Sequence, residues 1–253
     1  EALGHAETWR KRRKKKYPKR FIINKTMAND ILTELKEKLG KKELLRNIAC
    51  KGQYCTFYEI ASILLNKVAI RKGDKTYYIK DIEFYLYNDL HRDIITYPRI
   101  CEAGQWYFHS SGVDISFESY VKTDDNEYDL FQPILDKDSF FGGILIRQIY
   151  PADKTPADAA KCRLDGPHKV EWELFDKFDA FNEVQDFPHF VACEHEVNII
   201  KVSERRNILP SNKTAEEKVK SILDYNYYKS EIPEDDLVKA FKEYKEATYR
   251  YTI

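Results

Sequence analysis

The stretch that decides the fold is Phe57 to Asn88, FYEIASILLNKVAIRKGDKTYYIKDIEFYLYN. Its first third, within Thr56 to Leu65, carries apolar residues at helical spacing and predicts a helix. An alternating run from Lys67 to Arg71 follows, then the turn Lys-Gly-Asp-Lys at 72 to 75, then a second alternating run from Thr76 to Tyr87. Alternation of period two on both sides of a glycine turn predicts a β-hairpin. In the second strand Ile82, Phe84 and Leu86 fall on one face, and Glu83, Tyr85 and Tyr87 fall on the other. If the aliphatic face meets the core, a carboxylate among aromatic rings lines the opposite surface. Such a group is a candidate general base, and the competing reading is a solvated residue on a half-exposed strand.

Outward from this unit the pattern stays mixed. Upstream, Asn29 to Gly40 (NDILTELKEKLG) has a polar N-cap, apolar residues at 31, 32, 35 and 39, and a terminal glycine, so it predicts an amphipathic helix. Downstream, Trp106 to Phe117 reads as an aromatic strand interrupted by Gly112, and Gly142 to Tyr150 reads as a buried strand. Asp165 to Phe181 places Val170, Leu174 and Phe178 four apart, as a helix would, and His195 to Val202 reads as a further strand. Thr214-Ala-Glu-Glu217 is a capping box that opens a helix to about Tyr228, and Ile232 to about Tyr251 reads as a last charged helix. The expectation is an α+β protein with a curved, largely antiparallel sheet flanked by helices. It divides into a basic arm (1–21), a central α+β domain (22–205) and a C-terminal helical appendage (206–253).

Composition narrows the function classes. The chain has 253 residues with 42 Lys+Arg and 42 Asp+Glu, is 43% hydrophobic and 33% charged, and sits among globular proteins. No apolar run approaches the ~18 residues of a membrane span. The N-terminus is charged rather than apolar, so no secretory signal is expected, and the expected setting is cytoplasmic or nuclear. Nine basic residues lie in the first twenty, including Arg10, Lys11, Arg12, Arg13, Lys14, Lys15 and Lys16. From residue 21 onward 33 basic face 40 acidic residues, a formal charge of −7. The arm fits phosphate contact or an import receptor, whereas any nucleic-acid affinity of the body requires a local patch.

Five cysteines, at 50, 55, 101, 162 and 193, form no CxxC pair and read as reduced thiols. His189, Cys193 and His195 are metal-capable, yet no nearby motif completes a zinc site, and packing is the simpler role. His109, Asp114 and Ser110 or Ser111 invite a triad reading, but the order is compact and no G-x-S-x-G elbow is present. Gly142-Gly143 precedes a strand rather than a helix and is no phosphate loop.

The order of motifs from residue 57 to 181 resembles the methylpurine (3-methyladenine) DNA glycosylase family. There a segment of the type ARxLLGKxLVR precedes a glycine turn and a strand of the type ETEAYL. Here they stand as ASILLNKVAIR (61–71) and DIEFYL (81–86). His91, the aromatic stretch Trp106 to Gly112, GGILIRQIYP (142–151) and GPHK (166–169) continue the order. The resemblance implies that Glu83 activates a water against C1′ of a flipped nucleotide, with neither metal nor cofactor. It implies that Tyr85 stacks on the extruded base, with His91 opposite, and that Arg147 fixes the water or the carboxylate. Phe108, His109 and Asp114 would line the pocket. Breaking an N-glycosidic bond builds positive charge on the sugar, which an anionic Glu stabilises while accepting the water's proton.

The implied partner is nucleic acid, DNA or else single strands or RNA. The chain departs from the family where a wedging tyrosine precedes the glycine, since Ser111 stands before Gly112 and a serine cannot part a base stack. The same scaffold therefore also admits a hydrolase acting on a small nucleoside or nucleotide, or a binding module without activity.

Overall fold

The computed structural model describes residues 25–46, 56–123, 132–178, 180–181, 186–193, 198–225 and 229–253. The basic arm, Cys50, Cys55 and His195 lie outside the described residues. Two helices, α1 (Lys25–Gly40) and α2 (Lys42–Arg46), precede α3 (Thr56–Asn66), whose Phe57, Ile60, Ile63, Leu64 and Leu65 are buried. Strand β1 (Val68–Lys72) turns through Gly73 and Asp74 into β2 (Lys75–Tyr87), in register Lys72↔Lys75. Helix, hairpin and long strand thus stand where periodicity places them.

Strand β2 is the axis of an eight-stranded sheet. Along one side it pairs antiparallel with β7 (Phe141–Pro151) from Tyr77 to Tyr87, with a bulge at Asp81. Beyond β7 lie β4 (Gly112–Ser116) and β3 (Trp106–His109). On its other side β2 meets β1 and then, further along, the C-terminal strand β11 (Arg250–Thr252), which continues to β9 (Lys201–Ser203). Strand β8 (His189–Ala192) closes the edge beside β1. A small second sheet holds β5 (Lys122–Thr123), β6 (Pro133–Leu135) and β10 (Lys229–Ser230). The fold is α+β.

Both faces of the main sheet are covered. On one, Ile82, Phe84, Leu86, Ile115, Ile144 and Ile146 pack with α3 and with Val170 and Leu174 of α4 (Pro167–Phe175). On the other, Tyr87 and Phe141 join Ile94, Leu135 and the apolar stripes of α5 (Ala215–Tyr225) and α6 (Glu234–Tyr244). The segment read as a C-terminal appendage thus supplies a second core and a strand of the main sheet. Among the described residues no helix is long and apolar enough to cross a membrane.

Four element boundaries differ from the sequence reading, each because a tertiary contact outweighs local pattern. Trp106 to Phe117 is a hairpin, not one strand: Ser110 and Ser111 form its turn, and Tyr97 bonds both of their hydroxyls. The helix begun at Pro167 stops at Phe175, so Phe178 leaves the helical series and stacks on Phe187. The expected strand from His195 to Val202 is reduced to Lys201–Ser203 in the described residues, while His189–Ala192 forms a strand of its own. The last helix ends at Tyr244 rather than about Tyr251, because residues 250–252 complete hydrogen bonding along the open edge of β2.

Candidate functional site

Glu83 sits where β2, β7 and β11 meet. It pairs with Leu145 on one side and Arg250 on the other, and Asp114 lies one strand further on across Leu145. Directly paired residues project from the same face of a sheet, so Glu83, Leu145 and Asp114 form one row, and Tyr85, Gly143 and Ser116 form the next. Arg147, two residues beyond Leu145, shares that face.

The Glu83 side chain is 0% exposed, so the reading of a solvated strand residue is corrected: the C-terminal quarter of the chain covers it. Its Oε2 accepts from Arg147 Nη1 at 3.0 Å and from the Tyr85 hydroxyl at 2.8 Å. Its Oε1 accepts from the backbone N–H of Arg206 at 2.8 Å, and Arg250 Nε stands 4.0 Å away. Arg250 is bound mainly to Asp81, through Nη2 at 2.6 Å and Nε at 3.0 Å. The Arg147 side chain remains 13% exposed and connects the buried carboxylate to the surface.

Tyr85 holds Glu83 rather than waiting free. Burial foremost, and the adjacent Glu83 charge, push its phenol well above the ordinary range, so at neutral pH the hydroxyl is a donor. One face of its ring is covered by the guanidinium of Arg205 at 4.6 Å. Arg205 in turn binds Asp93 at 2.5 Å and donates to the carbonyls of Tyr244 and Phe84.

His91 is corrected in role, because it does not face Tyr85 across a gap. It is buried, with Nδ1 on the Leu86 carbonyl at 2.7 Å and Nε2 on the Tyr249 hydroxyl at 2.8 Å, and its ring lies 4.0 Å from that of Tyr244. Burial above all lowers its pKa, against the opposing pull of Asp93. It ties the loop after β2 to the C-terminal segment.

A second polar cluster occupies the β3–β4 end of the same face. Asp114 binds Arg99 Nη2 at 2.7 Å and His109 Nε2 at 2.9 Å. Burial raises the carboxyl's pKa, but the Arg99 guanidinium and then His109 more than offset this and hold it below the usual value. His109 Nδ1 accepts the Ser111 N–H at 3.2 Å, so the proton on Nε2 is the one donated to Asp114. The Asp–His pair does converge, but the hydroxyls of Ser110 and Ser111 turn to Tyr97 rather than to the imidazole.

Arg99 also stacks on Tyr107 at 3.8 Å, and Gly143 makes room for it, since a Cβ there would lie 2.7 Å from Arg99 Nη1. Phe108 is not part of this site. It pairs with Val113, points to the opposite face and meets the Phe175 ring edge-on at 4.8 Å.

The GPHK segment reaches the site through its backbone. Gly166 donates to the carbonyl of Arg147 at 2.8 Å, and Pro167 lies so close to Gly112 that a Cβ on Gly112 would stand 2.8 Å from Pro167 Cβ. Among the described residues no group of three or more His, Cys, Asp or Glu side chains could hold a metal ion, and His189 turns its Nδ1 to the Phe187 carbonyl. Sequence reasoning missed Asp93, Arg99, Arg205, Arg206 and Arg250. No local pattern marks them, since each meets its partner only through the folded sheet.

Comparison with models of protein families, with curated proteins and with solved structures finds no match to this chain.

Proposed function

We propose that this chain hydrolyses an N-glycosidic bond in a nucleic acid, excising a damaged or modified purine with Glu83 as general base. The observation that carries the reading is the convergence of Glu83, Tyr85 and Arg147 on one sheet face, with Arg147 spanning from the carboxylate to solvent. In the proposed step a water enters beside Arg147 and gives its proton to Glu83 while its oxygen bonds to C1′. The C1′–N bond electrons leave with the base, which takes up a proton from solvent. The carboxylate also stabilises the positive charge that builds on the sugar, and it does so in a water-poor setting where electrostatic stabilisation is strongest. Tyr85 and the Arg206 N–H act as positioning groups, because they hold the carboxylate rather than touch the reacting atoms.

A second reading rests on a specific observation. Arg147, Tyr85 and the Arg206 N–H all donate to the two oxygens of Glu83, and Arg205 already covers one face of Tyr85. A scaffold that binds without hydrolysing accounts for this arrangement equally directly. The two readings part in one experiment, release of an alkylated purine or hypoxanthine from single- and double-stranded oligonucleotides. Wild type is expected to release the base, and Glu83→Gln to lose at least ~10²-fold in rate with its circular dichroism unchanged. Equal rates in the two proteins remove Glu83 from the role, and binding without release by wild type selects the second reading.

A further inference from the structure

We infer that Arg206 contacts a phosphate of the ligand, which makes the ligand of the Glu83 site a phosphorylated nucleotide or polynucleotide rather than a free nucleoside; this rests on the assignment of Glu83 as the reacting centre. Arg206 is fixed at the centre by its backbone, whose N–H donates to Glu83 Oε1 at 2.8 Å. Its Cα therefore lies about 4 Å from the carboxylate oxygen. Arg205 before it is buried, so the chain here alternates and the Arg206 side chain is exposed.

The neighbouring cations are committed, Arg147 to Glu83, Arg250 to Asp81 and Arg205 to Asp93, whereas the Arg206 guanidinium has no carboxylate within ion-pair distance among the described residues. Glu204 is exposed two residues earlier and forms no ion pair with it. On a body of formal charge −7, an exposed cation left without a carboxylate partner beside Glu83 is the kind of local contact that a polyanion requires.

The chemistry fits one ligand class. A guanidinium offers a planar fork of N–H donors that matches two phosphate oxygens. A nucleotide whose C1′ stands over Glu83 carries its phosphates about one sugar width away, within the span of an arginine side chain. A free nucleoside leaves that fork empty.

The test measures anisotropy of a labelled single-stranded oligodeoxynucleotide containing hypoxanthine, between about 50 and 200 mM salt, with wild type, Arg206→Ala and Arg206→Lys. Because the contact to Glu83 is made by the backbone, Arg206→Ala keeps it, and circular dichroism checks the fold. The slope of log K against log salt is expected to become shallower by about 0.7 in Arg206→Ala, the value of one phosphate contact on a single strand, and to be kept in Arg206→Lys. Inosine should bind all three proteins alike. Inosine monophosphate should bind wild type more tightly than inosine, and this gain should vanish in Arg206→Ala.

An unchanged slope in Arg206→Ala, or no binding of the oligonucleotide and the monophosphate by wild type, overturns the inference. A reduced slope without base release by wild type keeps the phosphate contact and removes the hydrolase. Base release with an unchanged slope does the reverse.

Discussion

Replacing Arg205 with methionine tests how the C-terminal quarter is bound to the sheet. The Arg205 side chain is 0% exposed, binds Asp93 at 2.5 Å, donates to the Tyr244 and Phe84 carbonyls, and covers the rings of Tyr85 at 4.6 Å and Tyr249 at 5.5 Å. Methionine restores much of the volume and none of the donors. It leaves the Asp93 carboxylate buried without a counter-charge, a loss of about 3–5 kcal/mol when one member of a sealed pair is removed. At a urea slope of about 3 kcal/mol/M the midpoint should fall by roughly 1–1.7 M. Asp93→Asn should cost a similar amount, since it strands the guanidinium instead. The double variant should recover part of the loss, with a coupling of about 1–3 kcal/mol. Near- and far-ultraviolet circular dichroism should give coincident transitions in wild type, because residues 205–253 share two cores with the rest of the chain. A midpoint shift below about 0.3 M in Arg205→Met, or losses that simply add in the double variant, would refute the reasoning.

Two further outcomes follow from the same geometry. Burial holds the pKa of His91 below its ordinary 6.5, so the folded state favours the neutral ring; stability is full above about that value and is lost as pH falls through the folded pKa. The urea midpoint should therefore decline from pH 7 toward pH 5 and decline less in His91→Phe, whereas equally steep profiles would contradict the assignment. Asp114, also depressed, adds a loss of the same sign at pH values below its ordinary 3.8. Gly112 has φ +134° and would press a Cβ to 2.8 Å from Pro167 Cβ, so Gly112→Ala should cost about 1–3 kcal/mol and lower Tm; an unchanged Tm would show that α4 is free to move away.

The parts of the fold legible in the sequence are those whose pattern and contacts are local. The helix at Thr56, the hairpin at Gly73 and the strand to Tyr87 follow from spacing alone. The capping box at Thr214 does too, with the Glu217 N–H on Thr214 Oγ1 at 3.2 Å and the return bond at 2.8 Å. Strand β11 was not legible because three residues after a charged helix carry no period, and their identity as a strand comes from the edge that β2 offers. The face that carries Glu83 follows from the alternation, but its burial does not: Tyr85 and Tyr87 are compatible with solvent or with a second core, and only α5 and α6 decide between them. Arg147 is legible from its motif, and the site's other cations are hidden for the plainest reason. Arg206 reaches Glu83 across 123 residues and Arg250 reaches Asp81 across 169, and an arginine in isolation reads as surface.

Four arginine–carboxylate pairs lie along or beside one face of this sheet, and their differences indicate where chemistry can occur. Taking such charges out of water costs several kcal/mol per ion, and well-packed apolar residues often do as well for stability, so stability alone does not explain four of them. Arg99–Asp114 and Arg205–Asp93 are sealed on both sides. Each fastens a distant segment, the loop before β3 or the start of the C-terminal quarter, and neither can exchange its partner for a ligand without unfolding its surroundings. Arg147–Glu83 and Arg250–Asp81 differ in that the carboxylate is buried while the cation still touches solvent. There water can reach the guanidinium from solvent while the ion pair and the buried carboxylate stay in place. Glu83 is adjacent to both of these cations, with Arg147 at 3.0 Å and Arg250 at 4.0 Å, so a group that arrives from solvent at either one alters the environment of Glu83 without breaking the fold.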